Sequence, residues 1–216
     1  MVNNALKMWY FYIIFIILIS FNYDTIYIKI MDNYRYLWYR RVNLLFENNI
    51  FIKGEITQSS INTTISEINK SEKQINLIID SNGGNLISGY NLIREMLKKT
   101  NINCYAINAQ STAFTIFQYC NNRYVMPDST LFQHNISISF KGSFEEFDDF
   151  YKTRFDSYRL INHMVSKTIS KKIKLKKEDY LKKIWNDWTI EGGEKIIENN
   201  LADEIVIINN LKYLYK

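Results

Sequence analysis

The run I-N-L-I-I-D, closing at Asp80 and followed at once by S-N-G-G-N, restricts the fold more than any other stretch of this chain. A continuously apolar, β-branched segment of this length has no solvent face, so Gln74 to Ile79 reads as a strand buried on both sides, as parallel strands are. A parallel neighbour is reached only through a crossover, normally a helix. The flanks supply two. Ser60 to Lys70 carries Ile61, Ile65 and Ile68 at helical spacing, and Leu86 to Lys99 carries Leu86, Tyr90, Ile93 and Leu97 on one face. Asn49 to Ile56 and Cys104 to Asn108 read as further strands. Strand, helix, strand, helix, strand is the order of a parallel α/β sheet, and it begins near Asn43.

Beyond Cys120, short extended pieces are expected around Tyr124 to Met126 and Leu131 to Gln133, divided by Pro127, the one proline of the chain. Ser143 with Glu146 has the form of a capping box and opens a second helical region. There Phe144, Phe147, Phe150 or Tyr151, Phe155 and Tyr158 make an aromatic stripe, expected to be a packing face. The chain closes with a helix near Gly193 to Asn199 and a strand at Ile205 to Ile208.

A chain of 216 residues, 47% hydrophobic, suits one domain with a short appendage. The appendage is visible: Met8 to Phe21 carries no charge, yet is shorter than the roughly 20 apolar residues of a full span. With no small-x-small cleavage site behind it, an uncleaved membrane anchor is expected, the alternative being an N-terminal element packed on the domain or a neighbouring subunit. Residues 1–42 thus read as hydrophobic segment and linker, and 43–216 as the domain. Were residues 8–21 to insert, Lys29, Arg35, Arg40 and Arg41 would outweigh Lys7 and keep the domain on the cytoplasmic side, so a cytoplasmic location is expected. Two cysteines, Cys104 and Cys120, supplemented only by His134 and His163, build neither a disulfide scaffold nor a four-ligand zinc site, and no metal is expected. Net charge is +5, and eight lysines between Lys167 and Lys183 face only Glu178 and Asp179. Such an excess reads as a solvated helix face, so no nucleic-acid partner is expected.

Three places combine reactive residues with suitable backbone neighbours. Asp80-Ser81-Asn82-Gly83-Gly84-Asn85 lies between a buried strand and a helix, where glycines let backbone N–H groups face an anion; it fits no phosphate-binding fingerprint. Ala109-Gln110-Ser111-Thr112-Ala113-Phe114 offers one Ser among small residues at the next strand-to-helix junction, as an exposed nucleophile requires, although an N-cap would look the same. Gln133-His134 ends a short strand after Met126-Pro127-Asp128-Ser129.

Taken together, D-S-N-G-G-N, A-Q-S-T-A-F, R-Y-V-M-P-D-S-T-L-F-Q-H and, later, N-D-W-T-I with L-A-D-E-I resemble the proteolytic subunit of the Clp protease in order and approximate spacing. That family carries S-P-G-G, A-S-M-G, a Pro seven residues before H-Q, and an Asp before a G-L-x-D strand entry. The resemblance covers about Asn49 to Ile208. It looks closest to divergent Clp-like proteins of large DNA viruses and phages, whose nucleophile segment often runs into a stretch such as Cys120-Asn121-Asn122-Arg123. Asn82 replaces the Pro of S-P-G-G, Ala113 the Gly after S-M, Asn135 the Gln of H-Q, and Asn200 a Gly before Leu201, where Asn tolerates a left-handed backbone.

The resemblance implies an α/β fold of the Clp/crotonase type: a spiral of βα units with a helical handle, here Ser143 to about Lys183. It implies Ser111 as nucleophile, His134 as general base and Asp187 as orienting acid, with the N–H groups of Gly83 and Thr112 facing the oxyanion. It further implies a serine endopeptidase acting on polypeptides without a cofactor, as a homo-oligomer in heptameric rings, fed by an ATP-driven unfoldase. Two alternatives are a catalytically reduced scaffold subunit of a mixed ring and a membrane-anchored peptidase resembling signal peptide peptidase A, which uses Ser and Lys.

Overall fold

A computed structural model describes residues 39–42, 44, 48–137 and 140–209. The apolar segment Met8 to Phe21 lies outside them, and among the described residues no helix is long and apolar enough to cross a membrane.

The strands are β1 (Arg40–Val42), β2 (Asn49–Ile56), β3 (Ile75–Gly84), β4 (Ile102–Gln110), β5 (Asn122–Gln133), β6 (Trp188–Glu191) and β7 (Glu204–Ile208). The helices are α1 (Gln58–Lys70), α2 (Leu86–Met96), α3 (Thr112–Gln118), α4 (Phe144–Lys172), α5 (Lys177–Trp185) and α6 (Gly193–Glu198). The sheet runs β1-β7-β5-β4-β3-β2, with β6 joined to β5 off this path. All pairs are parallel except β5 with β6.

The apolar run of β3 is buried on both faces. Leu77 and Ile79 join the main core under the helices, while Ile78 joins a smaller cluster with Tyr105, Met126 and Val206. Thr57 and Ser60 close a capping box at the start of α1, turning Ile61 and Ile68 fully inward. The charged Arg40–Val42, which the apolar pattern leaves in the linker, instead forms edge strand β1 against β7, and Arg40 is paired there with Glu204 at 2.7 Å.

The two extended pieces around Pro127 are one strand whose ladder is interrupted. Beside β4, Val125 pairs with Ala106 and Thr130 with Asn108, and between them the Met126 N–H donates to Ser129 Oγ at 2.7 Å. The proline sits where a ladder donor is not required. The first part of β5 then pairs with β7 and the last part, Thr130–Gln133, with β6.

Arg123 is buried and ties three elements together, donating to Asp203 Oδ1 at 2.6 Å, Gln118 Oε1 at 2.6 Å and the Asn200 carbonyl at 3.2 Å. Burial pushes the Asp203 carboxyl up, but hydrogen bonds and charge from Arg123 outweigh it and leave its pKa lowered. Asn200 has φ 56°, the left-handed backbone expected of it. The two cysteines, too few for a scaffold, form one bridge, Cys104–Cys120, from β4 to the turn after α3.

The capping box opens α4 as expected: Ser143 N–H donates to Glu146 Oε2 at 2.7 Å, and Glu146 N–H to Ser143 Oγ at 3.2 Å. The helix has two halves. Ile161, Val165 and Ile169 are buried, whereas Phe144 and Tyr151 are 91% and 50% exposed. Among the described residues, the aromatic stripe packs on itself and on Phe140 and takes no part in the main core. Lys172, at the C-terminal end, departs from the solvated face expected of the lysine-rich stretch. Its ammonium donates to the Gln118 and Cys120 carbonyls at 2.9 and 2.6 Å, under the last turn of α3.

Candidate active site

Strand β4 delivers Ser111 to the N-terminus of α3 at φ 52°, ψ −118°. An L-residue avoids this region unless its surroundings over-determine it, at a cost of about 1–3 kcal/mol. Three contacts hold it there. The Ser111 N–H donates to the Phe132 carbonyl at 2.8 Å, tying the corner to β5. The Thr112 hydroxyl donates to the Gly84 carbonyl at 2.9 Å. Gly83, at φ +94°, packs so closely that a Cβ would lie 2.7 Å from the Gln110 carbonyl oxygen and 2.8 Å from Ser111 Cβ.

His134 follows the last residue of β5, stacked on Phe132 with ring centroids 5.4 Å apart. Its Nε2 is 2.7 Å from Ser111 Oγ, which donates to it when the ring carries its proton on Nδ1. The next residue is anchored from the other side, Asn135 N–H donating to the Ile184 carbonyl at 3.1 Å. Ser111 and His134 thus follow the ends of neighbouring strands β4 and β5 of one sheet, which brings their side chains together.

The pair opens on a cavity of about 210 Å³. This is below the roughly 300–1,000 Å³ of common small-molecule sites and is the size of a side chain. Gly84 and Thr112 line it beside Ser111; Gln133, Asn162, Ser166, Tyr180 and Ile184 continue its wall. Among the described residues, no Asp, Glu, Lys or Arg lines it.

Of the expected oxyanion donors, Thr112 opens α3, where a first-turn N–H has no intrahelical partner. Gly83 stands behind the cavity wall, its N–H donated to Ser81 Oγ at 3.1 Å; Gly84 is the glycine of the pair that lines the cavity. On the approach to this turn the register of β3 shifts against β2 between Lys53 and Glu55, and against β4 between Ile79 and Asp80.

Asp187 stands just past the Gln133–Trp188 rung of the antiparallel β5–β6 ladder, the register position facing His134. Its backbone is left-handed, φ 54°, and its side chain is exposed, with no hydrogen bond to His134. Asp179, eight residues before it, lies in the first turn of α5 and faces Lys182 at 3.8 Å.

Sequence spacing alone does not single out Gln133, Asn162, Ser166 and Tyr180. The only signal is that Asn162 and Ser166, four residues apart, fall beside the apolar stripe Ile161, Val165, Ile169 of α4.

A model of the Clp protease family matches residues 33–208. The chain belongs to the Clp protease family, and its seven-stranded sheet, parallel but for β6 and flanked by helices, is the Clp/crotonase-like fold. It is a Clp-type peptidase in the general sense that membership carries. A search of curated proteins finds no match.

Proposed function

We propose that this protein is a serine endopeptidase of the Clp type. The observation that carries it is the 2.7 Å contact between His134 Nε2 and the oxygen of Ser111, a residue held in a strained backbone at a helix N-terminus beside a cavity. His134 takes the Ser111 proton as Oγ adds to the scissile carbonyl, and returns it to the leaving amine. The resulting acyl-enzyme is hydrolysed by a water that His134 deprotonates in turn. The Thr112 N–H, with the glycine pair Gly83–Gly84 supplying the second donor from its Gly84 side, faces the oxyanion, each donor worth about 3–4 kcal/mol in comparable sites. Asp187 is the acid that the ladder register offers to the ring's other nitrogen, and it takes that role when its side chain turns from solvent onto the imidazole. The histidine partner, and the absence of a lysine from the cavity wall among the described residues, favour this mechanism over the Ser–Lys peptidase and over a catalytically reduced subunit.

Family membership supports assembly into rings that enclose the sites, and the exposed aromatic half of α4 is a face that a second copy would cover. The sequence holds no G-x-x-x-x-G-K-[ST] loop, so ATP-driven unfolding would come from a partner. Reaction with a fluorophosphonate and peptide mapping by mass spectrometry tests the nucleophile. Ser111 should be the labelled residue and His134→Ala should lose the label; label on another serine, or none, overturns the assignment.

A further inference from the structure

Where the family motif A-S-M-G has Met after the nucleophile, this chain has Thr112, a buried residue whose side chain reaches two other elements. Its hydroxyl donates to the carbonyl of Gly84, the last residue of β3, at 2.9 Å. Its methyl sits in a notch on α2: a Cβ added to Gly89 would lie 2.2 Å from Thr112 Cγ2. Hydroxyl and methyl hang from one Cβ, so turning χ1 to move either one moves both. Contacts with β3 and α2 together therefore hold the side chain in one rotamer.

What that rotamer fixes is a peptide plane. The Gly84 carbonyl and the Asn85 N–H belong to one rigid unit. The N–H donates to the Ile56 carbonyl of β2 at 2.8 Å and the carbonyl accepts from Thr112, so the plane is held at both ends. Gly84 has φ +144°, and with no side chain of its own it depends on such outside restraint. Without the hydroxyl the plane would pivot on its remaining hydrogen bond, and the Gly84 N–H, on the other side of the same Cα, would move with it. Gly84 and Thr112 both line the cavity beside Ser111.

We propose that Thr112 is a positioning residue for the oxyanion: its hydroxyl sets the spacing between its own backbone N–H and that of Gly84, without touching substrate. This rests on Ser111 as nucleophile and on those two donors, and the test separates the readings. In the full chain, kcat and KM for a short fluorogenic peptide are measured beside fluorophosphonate labelling of Ser111, read by mass. Thr112→Val keeps the shape and removes the donor; it is expected to lower kcat about 30-fold with KM unchanged, since donors misplaced by a fraction of an ångström fail chiefly in the transition state. Thr112→Ser keeps the hydroxyl and should recover most of that loss. Gly89→Ala reaches the same contact from the other side and serves even if Thr112→Val fails to fold. Its methyl displaces that of Thr112, so kcat falls, and adding Thr112→Ser, which lacks the methyl, should restore it. An unchanged kcat in Thr112→Val or Gly89→Ala, a loss confined to KM, or no recovery with Ser overturns the positioning role while labelled Ser111 leaves the nucleophile standing. Absence of label on Ser111 in the natural protein overturns both.

Discussion

Two junctions between helix and strand place a residue other than glycine at positive φ next to the end of β5: Ser111 at 52° and Asp187 at 54°. Asp enters the left-handed region readily, since its short polar side chain tolerates it, and at Asp187 nothing around the residue has to force it. Ser111 has less such latitude, and its corner is enforced by a backbone bond to β5, a side-chain bond from Thr112 and the close approach of Gly83. The first corner is enclosed and bonded to His134; the second is exposed and unbonded to it. An unusual backbone angle is thus no sign of function by itself. What distinguishes the two is whether the surroundings have been built to hold it.

The sharpest way to break the comparison is chemical. Ser111→Ala and His134→Ala should each lower turnover of a short fluorogenic peptide by an order of 10⁶, with the double variant no worse, because nucleophile and base act as a unit. Additive losses in initial rates would show that His134 is structural. Next is the enclosure itself. Gly83→Ala puts a methyl into the backbone of the nucleophile corner and should cost about 3 kcal/mol in urea unfolding, together with fluorophosphonate labelling. Gly54→Ala has a similar angle, φ +72°, but open space within 4 Å, and should cost about 1 kcal/mol and keep the label. Equal costs would mean that the crowding at Ser111 is not what holds it.

The second corner is tested by Asp187→Asn, expected to lower turnover by about tenfold, against no change for Asp179→Asn. That is far short of the ~10⁴ seen where a triad acid is bonded to the imidazole. A drop of that larger size would show Asp187 engaged with the ring throughout turnover and erase the contrast between the corners. The smallest effect concerns the support under α3. Burial, then the nearby Arg123 charge, lowers the Lys172 pKa from 10.5 to about 8, Asp203 opposing. Between those values the unfolded chain binds the more protons, so stability rises with pH across the window. Melting curves from pH 8 to 10 should rise by about 2 °C more for the natural protein than for Lys172→Met, a modest amount because the group is partly solvated.

How much of this was legible depended on what each feature is made of. The bounds of β2 coincide with the apolar run Asn49–Ile56, and the Ser111–His134 pair follows from motifs whose order and spacing are fixed by two adjacent strands. Strands β1 and β6 carry no such run; R-R-V and W-T-I-E are strands only because β7 and β5 lie beside them. Which glycine of the pair Gly83–Gly84 lines the cavity depends on single-residue register shifts along β3, which composition does not encode. The direction of the Asp187 side chain was equally out of reach, since an exposed rotamer is set by what comes near it. Periodicity marked α4 as a helix, but not which half of it is buried and which exposed.

The Cys104–Cys120 bridge spans 16 positions of sequence, and Ser111 lies inside the loop it closes. A covalent ring of that size restricts the denatured ensemble, by about 3 kcal/mol in the chain-entropy description. Part of what keeps Ser111 in place therefore resides in the unfolded chain, where no native contact survives. Its size is set by the thiol–disulfide poise of the surroundings: a reducing medium lengthens the list of conformations open to this segment before it folds, without altering a single native contact of the Ser111–His134 pair.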